Sequence, residues 1–386
     1  MSRSIRIDRK YAARLSMHHS LRMLIVTHAP LSPGFGAAQV ALNLGDALRA
    51  LGHDVTVWSP QPIHGRRWQG GLQIMRARLD EFIRTQPAFD VIEVPSSMFT
   101  SRLRGESFVL VRSVQPDLLY LAIGLTDGLR ISLKDALRFA KRLAQSVFHG
   151  LYVLQGWGRA DLIFCQGVLE YEWMKRVFSI WRPKFRRIVS TLSELDQNRL
   201  REVRERRAPY DRGRPMKLLW IGRWARHKGN FELMEFLSNW IANRPGYTVT
   251  IAGCGDVATS TFPPELLKSR KLEVVPSYTR EELPLLLARH DTGLFTSKVE
   301  GWGLVLNEML ESGMRVFATE TGGVPDLDSH FPGYLMRFPP TAEELETPPS
   351  LAPDWETYYG TFSWNSIARQ YVADILAARP ALTERI

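Results

Sequence analysis

The sequence predicts an α/β protein of two domains, each a parallel sheet covered by helices, facing each other across a cleft. Three observations predict it. The chain has 386 residues, more than one ordinary core serves and about right for two domains of usual size. A strand–loop–helix–strand pattern begins at Leu21 and restarts after an Arg-, Pro- and Gly-rich break near residue 210. The strand candidates are continuous apolar runs, as parallel strands covered on both faces require.

Composition bounds the reading. Hydrophobic content of 45% and charged content of 23% are those of a soluble globular chain and exclude a disordered or fibrous one. No run of 18 apolar residues occurs, so no transmembrane helix is expected. Residues 1–21, "MSRSIRIDRKYAARLSMHHSL", are basic and lack the continuous apolar stretch of a secretory signal, so they read as an N-terminal arm. The two cysteines, Cys165 and Cys254, stand far apart in apolar segments, the pattern of buried thiols in a reducing compartment. The nine histidines have no metal-binding spacing, and no metal site is expected.

Along the chain, "MLIVT", "AAQVALNLGDALRALG" and "DVTVWS" form a βαβ unit, with Gly52 as the helix stop. Strands "FDVIEVP" and "SFVLVRS" follow, then a helical region from about Leu129 to Leu154, then strand "ADLIFCQG". "RLREVRERRAPYDRGRP" reads as a linker because it is dense in arginine and poor in apolar residues. The pattern restarts with strand "MKLLWIGRW", helix "FELMEFLSNWIANRPG" and strand "YTVTIAGCGD". It continues through "KLEVVPSY", "EELPLLLARH", "DTGLFTS" and "RVFATETGGVPDL". The expected units are 1–21, 22–207, 208–360 and 361–386. Ligands of such sheets sit beyond the carboxyl ends of the strands, which here border the cleft.

Charge is segregated. Residues 1–215 carry 34 Lys and Arg against 19 Asp and Glu, a net of +15, whereas residues 216–386 carry a net of −5. A basic half suggests an anionic partner. In "DGLRISLKDALRFAKRLAQSVFHGLYVLQG", Leu129, Leu133, Leu137, Ala140, Ala144 and Val147 recur at helical spacing. Arg130, Lys134, Arg138, Lys141 and Arg142 fall largely between them. Such a helix either docks on an anionic membrane surface or packs on the core with a solvated outer face. Nucleic acid is not an expected partner, since the aromatic interleaving of single-strand binders and any reading motif are missing.

Three glycine-bearing strand exits carry the candidate chemistry. In "WIGRWARHKGN", Gly222 permits a close turn while Arg223 and Lys228 set two cations at a strand's carboxyl end, suited to a diphosphate or simply to a solvated loop. In "VEGWGLVLNE", Gly301 and Gly303 permit close backbone approach ahead of a helix, whose N-terminus attracts anions. Glu300 precedes that turn and Glu308 lies in the helix. Eight residues advance about 80° at roughly 100° per residue, so the two carboxylates line one pocket wall rather than stack. A carboxylate beside phosphates suits a neutral, hydroxyl-rich ligand portion such as ribose or a hexose; ordinary surface glutamates are the alternative. "TETGGVPDL" reads as a turn, and Gly34 and Gly36 of "PLSPGFGAAQ" form a Gly-x-Gly that does not complete a dinucleotide fingerprint.

"GRWARHKG", "EGWGLVLNE", "GGVPD" and "FSWNSIARQY", in that order, resemble the family 4 glycosyltransferases of the GT-B fold, retaining enzymes that use nucleotide sugars. The resemblance implies two Rossmann-like domains, the first binding the acceptor and the second the nucleotide sugar, with a last helix crossing back to the first. It implies Arg223 and Lys228 on the donor diphosphate, Glu300 at the donor sugar and reacting centre, and Glu308 on the ribose. It also implies the amides of Leu304 and Val305 at the phosphates, Gly36 approaching from the first domain, and the base near Pro276–Tyr278. The implied partners are a nucleotide sugar and a saccharide or lipid-linked acceptor. The implied location is cytoplasmic, at the inner face of the cytoplasmic membrane. Neither a cofactor nor an essential metal is expected. One departure stands out. The histidine that relatives carry after the strand matching "FVLVRS" is replaced here by Val114 and Gln115, which leaves Gln115 and Asp117 as substitutes, and Arg112, Gln115 and Asp117 are the candidates on the acceptor side. A catalytically silent protein that binds a nucleotide sugar or a partner enzyme is the alternative reading.

Overall fold

The computed structural model describes residues 20–32, 34–63, 71–105, 107–113, 116–125, 133–242, 244–257, 261–349, 351–380 and 382. Almost all of the N-terminal arm, Gln115, Leu129 and Arg130 lie outside the described residues, as do the side chains of Leu133, Lys134, Leu137 and Arg138.

The first domain contains strands β1 (Arg22–Val26), β2 (Asp54–Trp58), β3 (Val91–Pro95), β4 (Phe108–Arg112), β5 (Leu162–Gln166) and β6 (Phe185–Ile188). They form one parallel sheet in the order β2-β1-β3-β4-β5-β6. Its helices are α1 (Gly36–Ala50), α2 (Gly71–Thr85), α3 (Asp117–Leu125), α4 (Leu133–Arg159) and α5 (Gly167–Val177). Strands β3, β4 and β5 are buried at every residue, which is why their sequences are mostly apolar, with Glu93 and Arg112 paired to each other as the charged exceptions.

The second domain repeats the plan with β7 (Met216–Ile221), β8 (Tyr247–Ala252), β9 (Leu272–Val275), β10 (Thr292–Phe295), β11 (Arg315–Ala318) and β12 (Leu335–Arg337). These pair in parallel in the order β12-β11-β10-β7-β8-β9. Between the domains runs α6 (Glu194–Glu205). The later helices are α7 (Asn230–Phe236), α8 (Pro264–Lys268), α9 (Leu283–Ala288), α10 (Leu304–Glu311), α11 (Val324–Asp328), α12 (Ala342–Glu346), α13 (Trp355–Thr361) and α14 (Trp364–Ala378).

Helix α14 starts at Ser363, whose hydroxyl accepts from the Ser366 amide, and packs against α1 in the first domain. It buries Ile367, Tyr371, Val372 and Ile375 there, and each fully buried aliphatic side chain contributes roughly 1.5–3 kcal/mol. Tyr371 stacks on Phe164 and donates a 2.6 Å hydrogen bond to Glu93.

The stretch expected to be a linker is different. Its first half is the end of α6, capped by the Ser193 hydroxyl on the Asp196 amide, with Leu200 buried. The helix packs against α9 and α10 of the second domain. Two of its arginines are bound to backbone rather than solvated: Arg204 donates to the Glu311 carbonyl at 2.8 Å, and Arg207 to those of Leu287, His290 and Ser312. Those carbonyls close α9 and α10, where helix ends leave acceptors that a guanidinium fork satisfies.

Candidate functional site

The site grows from two strand exits that are fastened together. The β7 exit runs through a 3₁₀ turn at Arg226–Lys228 to Gly229 (φ +69°), where an added Cβ would lie 1.7 Å from the Thr296 carbonyl. Only glycine lets the β10 exit come this close. Thr296 then takes a 2.9 Å bond from the Trp220 indole and gives one to the Lys228 carbonyl, while the Lys298 amide donates to the His227 carbonyl at 2.8 Å. With the backbones clamped, Lys228 Nζ reaches Glu300 Oε1, which also accepts from Ser297 Oγ at 2.8 Å. The Glu300 side chain is 6% exposed and that of Lys228 18%. Arg223, on the same exit, is exposed. Gly222 follows β7 with the Trp220 ring 3.1 Å from its added Cβ.

Beyond Glu300, buried Gly301 leads to Gly303 (φ +89°), the residue that opens α10; a Cβ there would meet the Phe295 ring at 2.7 Å. Leu304 and Val305 form the first turn, so their amides belong to the donor-rich end of the helix. Gly36 opens α1 on the first domain and stands across from them, its added Cβ only 3.7 Å from the Leu304 side chain. Two helix N-termini thus meet across the domain boundary.

Glu308 is turned to a different partner. It is buried and paired with Arg280, whose other nitrogen holds Asp196 at 2.9 Å. Arg280 remains firmly protonated because those two carboxylates outweigh its burial, while burial and Glu308 push the neighbouring Tyr278 phenol upward. Neither Arg280 nor Asp196 stands out in the sequence. The only available signal is that a buried Glu308 needs a cation.

Trp302 anchors the turn from inside. Its indole donates to Asn307 at 2.7 Å, Asn307 donates to Tyr358 at 2.9 Å, and Tyr358 donates to Glu311 at 2.7 Å. Burial pushes the Glu311 carboxyl up to about 7.

The first-domain residues separate. Arg112 is 4% exposed and bound to Glu93 at 2.7 Å, beneath the cleft surface, which corrects its placement toward an acceptor. Its position closes β4, where an unpaired buried carboxylate from β3 requires a cation. Asp117 begins α3, and burial pushes its carboxyl up to about 7, with Ser96 opposing. Glu170 nearby is pushed by burial up to about 8; Ser113 and the Gln166 amide bond it. Gln115 lies outside the described residues. Tyr120 of α3 meets His227 of the second domain edge-on at 5.1 Å. His28 and His149, missed in the sequence, also lie near each other here, and burial lowers both. Among the described residues no group of three or more His, Cys, Asp or Glu is gathered as metal ligands.

Residues 203–347 match the family model of glycosyl transferases group 1. The matched stretch holds Arg223, Lys228, Tyr278, Glu300 and Glu308. Solved structures agree on the fold. Sucrose-phosphate synthase from Thermosynechococcus elongatus aligns with a TM-score of 0.59 at 16% identity, over 94% of this chain and 96% of that one. Trehalose 6-phosphate synthase from Burkholderia multivorans gives 0.59 at 12% identity, over 94% and 100%. The catalytic domain of starch synthase IV from Arabidopsis thaliana, bound to ADP and acarbose, gives 0.58 at 11%, over 93% and 99%. No curated protein sequence matches the chain. The architecture is that of the GT-B glycosyltransferases, two parallel six-stranded sheets facing across a cleft. The family model thus matches a stretch within the second half of the chain, and the solved structures share the fold along nearly all of it.

Proposed function

We propose that this protein moves a hexosyl group from a nucleoside-diphosphate sugar to a lipid-linked saccharide or polysaccharide, with retention of configuration, as family 4 glycosyltransferases do. One observation carries the reading: Lys228 and Glu300 converge beside the N-terminus of α10, facing the N-terminus of α1. A cation and a helix N-terminus match a diphosphate, and a carboxylate beside them matches sugar hydroxyls.

In this reading the diphosphate shares Lys228 with Glu300, with Arg223 closing from the exposed side. As the bond to the sugar breaks, negative charge grows on the departing phosphate, and these cations with the Leu304 and Val305 amides stabilise it. Glu300 accepts from sugar hydroxyls and Glu308 from the ribose, while Tyr278 borders the base. This charge balance needs no divalent ion. Asp117, enclosed at the head of α3, stands in on the acceptor side for the histidine that relatives carry.

Docking at an anionic membrane face from the cytoplasmic side is part of the proposal. It is supported by exposed Leu119 on α3 and by Leu143, Val147, Phe148 and Leu151 on α4, near exposed Lys141 and Arg142. No helix among the described residues is long and apolar enough to cross a membrane. Sedimentation with anionic vesicles at low salt checks this, and no binding there removes it.

The test of the activity is turnover across a panel of nucleotide sugars. The expected result is hydrolysis or transfer with at least one donor, lost in Glu300→Ala. No turnover of any donor would favour a silent sugar-nucleotide binder.

A further inference from the structure

A further contact between the domains is made by Asp326 and has a chemistry of its own. Helix α5 of the first domain begins at Gly167, and the residue before it, Gln166, supplies no side-chain cap. The cap comes from Asp326 on α11 of the second domain, 158 residues further on, whose Oδ2 accepts from the Val168 amide at 2.9 Å. The Asp326 side chain is 2% exposed. Arg187, which lies in β6 of the first domain and is half exposed, places Nη1 3.8 Å from Oδ1 of the same carboxylate.

The fit is tight enough to require glycine. Gly167 has φ +72°, and a Cβ there would lie 2.8 Å from Asp326 Oδ2, 3.4 Å from the Gly322 carbonyl and 3.5 Å from the Trp302 ring. Any larger residue would push α11 away from α5. On the other side of the contact, the Gly323 amide donates to the Trp302 carbonyl at 2.8 Å, so α11 and the turn ahead of α10 move as one body. Burial raises the Asp326 carboxyl, opposed by the Val168 amide and Arg187 of the first domain and by its own backbone.

We propose that Asp326 is an interdomain latch: its carboxylate caps α5 only when the domains are closed, and it thereby positions the Trp302–Gly303 turn against the first domain. A helix N-terminus without its cap leaves amides unpaired and a positive end uncompensated. Closure supplies both at once, and opening removes both. Asp326 does not touch the proposed diphosphate position, which makes it a positioning residue. The inference rests on the fold and not on the proposed transfer reaction.

The test uses the full chain without ligand. Asp326→Ala and Asp326→Asn are compared with wild type by hydrogen exchange of the 166–172 segment and by solution scattering. Loss of a hydrogen bond to a charged acceptor predicts about ten- to a hundredfold faster exchange at the start of α5 in Asp326→Ala, with a larger radius of gyration. Asp326→Asn, which keeps the shape but not the charge, shows both effects more weakly, and it carries the test should the alanine variant fail to fold. Unchanged exchange overturns the latch. Faster exchange at an unchanged radius of gyration also overturns it, because it assigns Asp326 to a local cap. Neither measurement involves turnover, so failure here leaves the transfer reading standing.

Discussion

Glu300→Gln separates two consequences of a single charge. An anion that takes Lys228 as counterion comes to rest roughly 5 Å from the Glu300 carboxylate, because both bind one ammonium. Two unit charges about 5 Å apart repel by about 3 kcal/mol at an effective dielectric near 20. Ions and water at the exposed edge of Lys228 reduce this to roughly half. The variant therefore binds a nucleoside diphosphate about tenfold more tightly than wild type, which corresponds to about 1.4 kcal/mol. Its stability moves the opposite way. Removing one partner of a fully enclosed pair costs roughly 3–5 kcal/mol. Here solvent reaches Lys228 and glutamine still accepts from Ser297, so about 1–2 kcal/mol is expected, roughly 3–6 °C of melting temperature. Calorimetric titration with UDP, ADP and GDP and a thermal melt of the free protein read the two signs. Equal or weaker diphosphate binding in the variant refutes the argument that Lys228 is shared between carboxylate and ligand.

Three further outcomes follow from named contacts. Arg280→Met leaves buried Glu308 facing Asp196 without a cation, and it should cost about 2–4 kcal/mol in chemical denaturation. Gly303→Ala forces a side chain into φ +89° and against Phe295 and should cost roughly 1–3 kcal/mol, with loss of diphosphate binding by titration. Glu170 has its folded pKa raised from 4.5 to about 8, so the neutral form is favoured on folding and the resulting stability fades as pH rises from the unfolded to the folded value. Glu170→Gln imitates the neutral acid. Its melting temperature should gain on that of wild type between about pH 5 and 8 and hold the lead above. A difference that does not change with pH would contradict the raised carboxyl.

The sheets were readable because buried parallel strands need apolar residues on both faces, and β3, β4 and β5 have them at most positions. The glycines before α10 were readable for a related reason, since a left-handed turn against Phe295 accepts no side chain. Partner choice was not. Lys228 and Glu300 lie 72 positions apart, and their pairing depends on Gly229 admitting the Thr296 carbonyl, a contact between distant strand exits. Arg280 and Asp196 are ordinary charges until Glu308 is known to be buried between them. Arg112 stood among the acceptor-side candidates, yet a carboxylate one strand over claims it. Arginine density suggested a linker at 199–215 because guanidinium groups are usually solvated; the carbonyls that Arg204 and Arg207 bind belong to helix ends 80 or more residues downstream. Asp326 sat in a segment read as a turn, and its partner is in the other domain.

The central claim is that the second domain grips an activated sugar through its diphosphate, using Arg223, Lys228 and the start of α10. The most direct measurement is the thermal shift of wild type and of the Arg223→Ala/Lys228→Ala double variant across common nucleotide sugars, since a ligand bound only by the folded form raises its melting temperature. The account predicts that at least one donor stabilises wild type while the double variant ignores it. A donor that stabilises both equally, or none that stabilises wild type, contradicts it.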